Sequence, residues 1–281
     1  MTWTSDYHIH TKLCGHAKGE IADFAAHALR VGLTEIGFAD HAPSRPDFDP
    51  DHRMSLRQFP DYVKQVNKLR KRFPDLTIRV GVEADMHPGF EPFLEKLRRD
   101  FPVEFVIGSV HYAGDYFVFT ESDSGSPSAS IEQVCSYVDL VRHGLASGLV
   151  DVAGHLDVIK FGLPHLRDEI RDLCLPLLET IRTLELVMEV NTSGLRKHLE
   201  ETYPEPDLIH AAARLGIPVC LGSDAHRPGD VGAGFESAKS ILSDAGYNVR
   251  PVVRNGQRVM IPQSDEGLFS SPEILNDCDA V

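Results

Sequence analysis

The first β-prone run of this 281-residue chain ends in His8-Ile9-His10. Metal-capable groups recur at the ends of later runs: Asp40-His41, Glu83 with Asp85, His111, His155 with Asp157, Glu189 with Asn191, and Asp224 with His226. Mixed imidazole and carboxylate donors suit zinc, iron or manganese. A carboxylate such as Glu83 can bridge two ions, whereas an imidazole normally binds one. A single strand-end histidine is commonly just a satisfied polar residue. The argument here rests on every expected strand ending in such groups. Side chains two apart on a strand face the same way, so His8 and His10 should project together, as should Asp224 and His226. Asp40 and His41 are adjacent and cannot both point inward from a regular strand. His41 is expected as the ligand and Asp40 as an acceptor that holds an imidazole in place.

The elements that must position these groups alternate. Strands are expected at 3–10, 35–40, 77–85, 105–111, 150–157, 186–191 and 218–224, and helices near 20–31, 56–73, 90–100, 131–147, 167–183, 205–215 and 234–245. Such alternation implies parallel strands joined by helical crossovers. Seven units without an obvious linker predict a closed or nearly closed α/β barrel, whose active site lies at the C-terminal ends of its strands. An open doubly wound sheet is the runner-up. Its dinucleotide-binding version would want a glycine-rich turn after the first strand, where His10-Thr11-Lys12 stands instead. Two connections are long, 42–55 and 112–129, and long loops often act as lids. An Asn-Gly pair between β-prone runs near 252–261 predicts a small hairpin. One barrel over residues 1–263 and an acidic tail over 264–281 complete the expected organisation.

Composition narrows the partners. Lys and Arg number 28 against 42 for Asp and Glu, a formal charge of −14, so an extended polyanion such as nucleic acid is not expected. A small phosphorylated metabolite is compatible, because bound divalent cations reverse the local field. The five cysteines are scattered and form no Cys-x-x-Cys pair, which argues against a disulfide framework and a zinc-thiolate knuckle. The N-terminus shows no signal peptide pattern, and no apolar run approaches membrane-spanning length. The expectation is therefore a cytoplasmic monomer or small homo-oligomer without membrane contact. His27, His87, His143, His165, His198 and His210 lack a partner pattern and read as surface or packing residues. His52 is ambiguous, lying in the first long loop with Arg45 and Arg53.

Taken in order, YHIHT (7–11), GHA (15–17), GFADHAP (37–43), GVEAD (81–85), GSVH (108–111), GHLD (154–157) and GSDAH (222–226) resemble the polymerase-and-histidinol-phosphatase (PHP) superfamily over nearly the whole chain. GFADHAP and the length look most like its stand-alone histidinol-phosphate phosphatases. The resemblance implies a distorted seven-stranded (β/α) TIM-like barrel with two or three divalent metal ions (Zn, Fe or Mn). His8, His10, Glu83 and Asp224 would hold one ion. Glu83 would bridge to a second, completed by His111 and His155, and His16, His41 and His226 would hold the third. The implied reaction is hydrolysis of L-histidinol phosphate in histidine biosynthesis. Such centres activate water and neutralise phosphate charge. Asp224 or His226 is the candidate to handle the leaving-group proton. Arg196, Lys160 and Arg227 follow strands six, five and seven and are the candidates to bind substrate phosphate. Asp47, Phe48 and Asp49 in the first long loop, with Tyr116 and Phe117 in the second, could receive the amine and imidazole. Three rivals stay open: a phosphoesterase for another small ester or nucleotide, a nuclease, and a non-enzymatic metal-binding protein.

Overall fold

The computed structural model describes residues 4–120, 130–247, 252–254 and 257–259. The expected acidic tail lies outside the described residues, as do 121–129 of the second long loop. In chain order the elements are β1 (Ser5–Ile9), α1 (Ile21–Arg30), β2 (Glu35–His41), α2 (Phe59–Arg72), β3 (Thr77–Asp85), α3 (Glu91–Asp100), β4 (Phe105–Ser109), β5 (Tyr112–Ala113), β6 (Tyr116–Phe117), α4 (Ile131–Ala146), β7 (Val152–Ala153), α5 (Arg167–Thr183), β8 (Val187–Asn191), α6 (Pro206–Arg214), β9 (Val219–Gly222), α7 (Phe235–Asp244), β10 (Val252–Arg254) and β11 (Gln257–Val259). Short 3-10 turns intervene.

Seven strands pair in parallel in the order β1-β2-β3-β4-β7-β8-β9. Helices lie between them, forming a nearly closed barrel. The gap between β9 and β1 is spanned by a bridge between Ile9 and Ala225, with His10 N donating to Ala225 O (3.0 Å) and Ala225 N to His8 O (3.1 Å). The helices cover the outer face through apolar stripes. In α2, Phe59, Tyr62, Val63, Val66 and Leu69 are buried, the i, i+3, i+4 pattern of one helix face. Ser130 caps α4, with Gln133 completing a capping box.

The strand pleat divides the core. Ile78, Val80, Val82 and Ala84 face the helices in the large outer cluster, while Tyr7, Ala39, Phe105, Ile107, Val152, Val187 and Cys220 form a smaller inner one. Phe105 fills the floor of the barrel. A Cβ on Gly81 would stand 2.2 Å from its ring, and one on Gly37 2.6 Å, so those glycines make room for it. Continuing along the inward face of β3, Gly81 is followed by Glu83 and Asp85, and on β2, Ala39 is followed by His41. The inner side thus changes from apolar to ionisable toward the C-terminal strand ends. In β1 the register shifts between Asp6 and Ile9. Such an irregularity re-aims side chains, and Tyr7 lies in the inner cluster although Ile9, two residues on, belongs to the outer one.

Several strands are shorter than the sequence suggests; the run 218–224, for one, is a strand only over Val219–Gly222. Two of them show the reason. The run 150–157 forms a ladder only over Val152–Ala153, and 105–111 only over Phe105–Ser109. In each, a buried carboxylate takes over from a neighbouring strand's carbonyl. His155 N donates to Glu189 Oε2 (2.9 Å) and His111 N to Asp85 Oδ1 (3.1 Å). The second long loop opens as a β5–β6 hairpin that the sequence reading missed. The hairpin expected near 252–261 is present as antiparallel β10–β11, its Asn-Gly pair lying outside the described residues.

Candidate metal centre

Glu83 is buried at the middle of the site, and its two oxygens face different nitrogens. Oε2 lies 3.3 Å from His8 Nε2, 3.5 Å from His10 Nε2 and 3.0 Å from His41 Nδ1. Oε1 lies 2.9 Å from His155 Nε2 and 3.5 Å from His111 Nε2. Asp224 adds Oδ1 at 3.3 Å from His10 Nε2 and 3.9 Å from His8 Nε2. It has a left-handed backbone (φ 52°), a conformation unfavourable for a side chain with Cβ and commonest at functional sites. His16, His41 and His226 form a further group whose donor atoms lie within 4.8 Å of one another. All nine histidine and carboxylate positions singled out as ligands therefore converge.

Other groups fix which ring nitrogen faces inward. His8 Nδ1 donates to Glu189 Oε1 (2.6 Å) and His111 Nδ1 to Asp85 Oδ1 (2.8 Å). His16 Nδ1 donates to Cys14 O (2.9 Å) and His226 Nδ1 to Asp224 O (3.1 Å). Metal-binding imidazoles characteristically give their other nitrogen to such an acceptor. Asp40 stands 3.6 Å from His10 Nδ1 and accepts from Thr11 N (3.0 Å) and the Thr11 hydroxyl. Asp85 also takes Arg53 Nη2 at 2.8 Å. Buried Asp6 accepts from Ser223 N and Gly232 N, 3.0 Å each, and so tethers the segment carrying Asp224 and His226. Sequence reading had Glu189 and Asp85 as strand-end groups but did not identify this orienting geometry, and it did not single out Asp6.

The residues fit metal ions on two physical grounds. Buried ring nitrogens without a hydrogen-bond partner include His8 Nε2, both nitrogens of His10, His41 Nδ1 and His226 Nε2, and such orphans are rare unless something else satisfies them. The carboxylates are also held in the ionised form that can bind a cation. Burial pushes Glu83 up, yet His8, His41, His111 and the hydrogen bond from His155 hold it well below the usual carboxylate range. Burial opposes Asp224 in the same way, and His8, His10 and His226 overcome it. Burial takes His41 down to about 4 despite Glu83, leaving a neutral ring with a lone pair. Cys14, buried beside His10, His16 and His226, is carried down to about 2 by those imidazoles against the effect of burial. With His10 and His226 it forms another group of donor atoms within 4.8 Å.

This centre forms one wall of a cavity of about 540 Å³, whose lining includes His52, Asp49, Phe117, Phe119, Ser193, Arg196, Lys197 and Asp230. That size suits a small metabolite. Arg196 is on the wall, its Nη2 donating to Ser223 O at 2.6 Å. Lys160 is not. It is buried, with Nζ donating to Asp157 Oδ2 (2.8 Å) and Thr202 O (3.0 Å), because the turn that carries it packs into the core. Arg227 is exposed and also off the wall. Asp49 and Phe117 reach the cavity, while Asp47 is solvent-exposed beside Arg45 (3.5 Å). Phe48 packs on His87, 4.0 Å between ring centroids, and under Arg53 at 4.6 Å. Tyr116 does not line the cavity. Lys197 and Phe119 were missed; nothing local in the sequence separates Lys197 from its neighbour Arg196.

A PHP domain model matches residues 6–193, and a PHP-associated model matches residues 209–238. The probable histidinol-phosphatase of Deinococcus radiodurans is 42% identical over 256 residues, covering 88% of this chain and 95% of that protein. The histidinol-phosphatase of Bacillus subtilis is 30% identical over 261 residues, covering 83% and 97%. Among solved structures, the histidinol phosphate phosphatase of Lactococcus lactis, complexed with Zn, L-histidinol and phosphate, aligns with a TM-score of 0.74 at 24% identity, covering 87% of this chain and 94% of that one.

Proposed function

This chain belongs to the PHP domain family, and from that premise we propose that it is a metal-dependent phosphomonoesterase hydrolysing L-histidinol phosphate to L-histidinol and phosphate. The observation that carries the chemistry is the division of Glu83, each oxygen turned to its own set of imidazoles at the wall of a metabolite-sized cavity. The relatives from Deinococcus and Bacillus support the substrate, being similar over nearly their full lengths. His8, His10, Glu83 and Asp224 would hold one ion, Glu83, His111 and His155 a second, and His16, His41 and His226 a third, of zinc, iron or manganese. When bound, such ions supply a water of lowered pKa and neutralise phosphate oxygens.

The protein's own groups do the rest. Arg196 offers a guanidinium to the phosphate. Asp224 and His226 line the cavity wall, where they would orient the water that gives the leaving alkoxide its proton. Phe117 and Phe119, on the cavity wall, would exclude water and give the imidazole of the substrate an apolar surface, and Asp49, also on the wall, would meet its amine. Lys160 and Arg227 have no part in this reading. A cytoplasmic setting belongs to the proposal, supported by four free cysteines among the described residues. No described helix is long and apolar enough to cross a membrane.

The test is phosphate release by metal-reconstituted protein from L-histidinol phosphate against sugar phosphates, nucleotides and single-stranded DNA, with and without chelator. A chelator-sensitive preference of many-fold in kcat/KM for histidinol phosphate is expected. Equal or better turnover of another ester would overturn the substrate. No hydrolysis at confirmed metal occupancy would overturn the reaction class.

A further inference from the structure

Lys197 has surroundings unlike those of the other cations near the site. It follows the 3-10 turn after β8 and lines the same cavity as Glu83, Asp224 and His226. Its Nζ stands 3.8 Å from the centroid of the Phe119 ring and 5.6 Å from those of Phe161 and Tyr203. Among the described residues no carboxylate lies within ion-pairing distance of it, although the chain carries a net charge of −14. Arg196 gives a donor to Ser223 O, Arg53 is spent on Asp85, and Lys160 on Asp157 and Thr202. Lys197 alone in this set meets ring faces rather than oxygen acceptors. Aromatic faces attract an ammonium but accept none of its three hydrogen bonds. Lys197 is half-buried on the cavity wall, so its ammonium keeps donors free for an anion that enters.

The geometry points to Lys197 as the residue that binds the phosphoryl oxygens of the substrate, its ammonium held by the Phe119, Phe161 and Tyr203 rings and completed only when an anion enters the cavity. This rests on the phosphatase reading above and extends it by a residue and a role. Phe119 then serves two purposes, walling the cavity and steering the amine. Burial draws the Lys197 amine below the ordinary lysine value, Asp224 opposing the shift and Arg196 adding to it. The charged form is present below that lowered pKa and lost as pH rises through it. Phosphate affinity should therefore fall on the alkaline side earlier than an ordinary lysine would allow.

The experiment measures binding of inorganic phosphate to the metal-loaded holoenzyme by calorimetry, from neutral to alkaline pH, in the parent protein, Lys197→Met and Lys197→Arg. Metal content and melting temperature are measured alongside. The expected result is at least a tenfold rise in Kd for Lys197→Met with metal content unchanged. Lys197→Arg should bind near parent affinity at neutral pH and show a shallower alkaline fall, because a guanidinium does not deprotonate there while hydroxide formed on the ions still competes. A Kd within twofold for Lys197→Met, or an alkaline fall in Lys197→Arg as steep as the parent's, would overturn the inference. The arginine variant decides the matter by itself should the methionine variant not fold. Inorganic phosphate tests Lys197 without histidinol phosphate, so failure of the substrate assignment and failure of this inference give different results.

Discussion

Glu83 and Glu189 divide the work of the centre between them. Glu83 faces the reacting side, while Glu189 holds His8 Nδ1 with one oxygen and the backbone of His155 with the other. Glu189→Gln keeps shape and volume but presents an amide N–H₂ to one of two donors. One of those contacts must be lost, and with it the setting of His8 or His155. Metal affinity or kcat/KM should drop about 10–100-fold, measurable by chelator competition and steady-state kinetics. Unchanged affinity would mean the orienting contact is dispensable. Lys160 makes the opposite prediction. Lys160→Met removes the partner of a buried Asp157, which should cost about 3–5 kcal/mol of stability. The loss would be read from the denaturant midpoint, while kcat/KM of the folded fraction stays near the parent value. A fall in kcat/KM without loss of stability would return Lys160 to the cavity. The sequence places Lys160 and Lys197 alike, each flanking a turn after a strand. The difference lies in Asp157 and Thr202, which reach one, and Phe119, which reaches the other, and no local pattern records those long-range contacts.

Across the elements, the C-terminal strand ends share a device. Backbone N–H groups of Thr11, His111, His155 and Ser223 are taken by the side chains of Asp40, Asp85, Glu189 and Asp6. Each buried carboxylate ends a ladder and at the same time fixes the backbone beside an inward-facing group. Helices were legible almost residue by residue because an apolar stripe is a local pattern, and strand order followed from alternation. Strand ends were not legible, since the carboxylate that stops β4 comes from β3 and the one that stops β7 comes from β8. The close packing of β9 against β8 gives a prediction at this scale. A Cβ on Gly222 would lie 2.0 Å from Glu189 Oε1 and 2.8 Å from His8 Cβ. Gly222→Ala should push Glu189 off His8 and lower metal retention about 10–100-fold, though Gly222 binds nothing itself. Equal retention by variant and parent under the same chelator would show that the strands yield instead.

For the whole molecule, metal and fold should be linked. A ligand that binds only the folded chain stabilises it, by about 2.7 kcal/mol at one hundred times its Kd. Stripping the ions should lower the melting temperature and zinc should restore it; identical scans with and without chelator would refute the coupling. Acidification should act in the same direction, because imidazoles must lose their protons to bind metal and ordinarily titrate near 6.5. The convergence of eight of the nine residues was legible because each sits at an expected strand end, and a parallel barrel gathers those ends on one side; His16, past the turn after β1, was legible only through the family resemblance. The closure was not legible. β1 and β9 meet through the Ile9–Ala225 bridge and through Asp6, which holds Ser223 from 217 positions away. A chain made in N-to-C order therefore displays His8 and His10 long before Asp224 and His226 emerge. On the ribosome the first histidine pair waits through that stretch without its counterparts. The full centre can load only after Ala225 and its neighbours have been made, and the clasp there marks the moment.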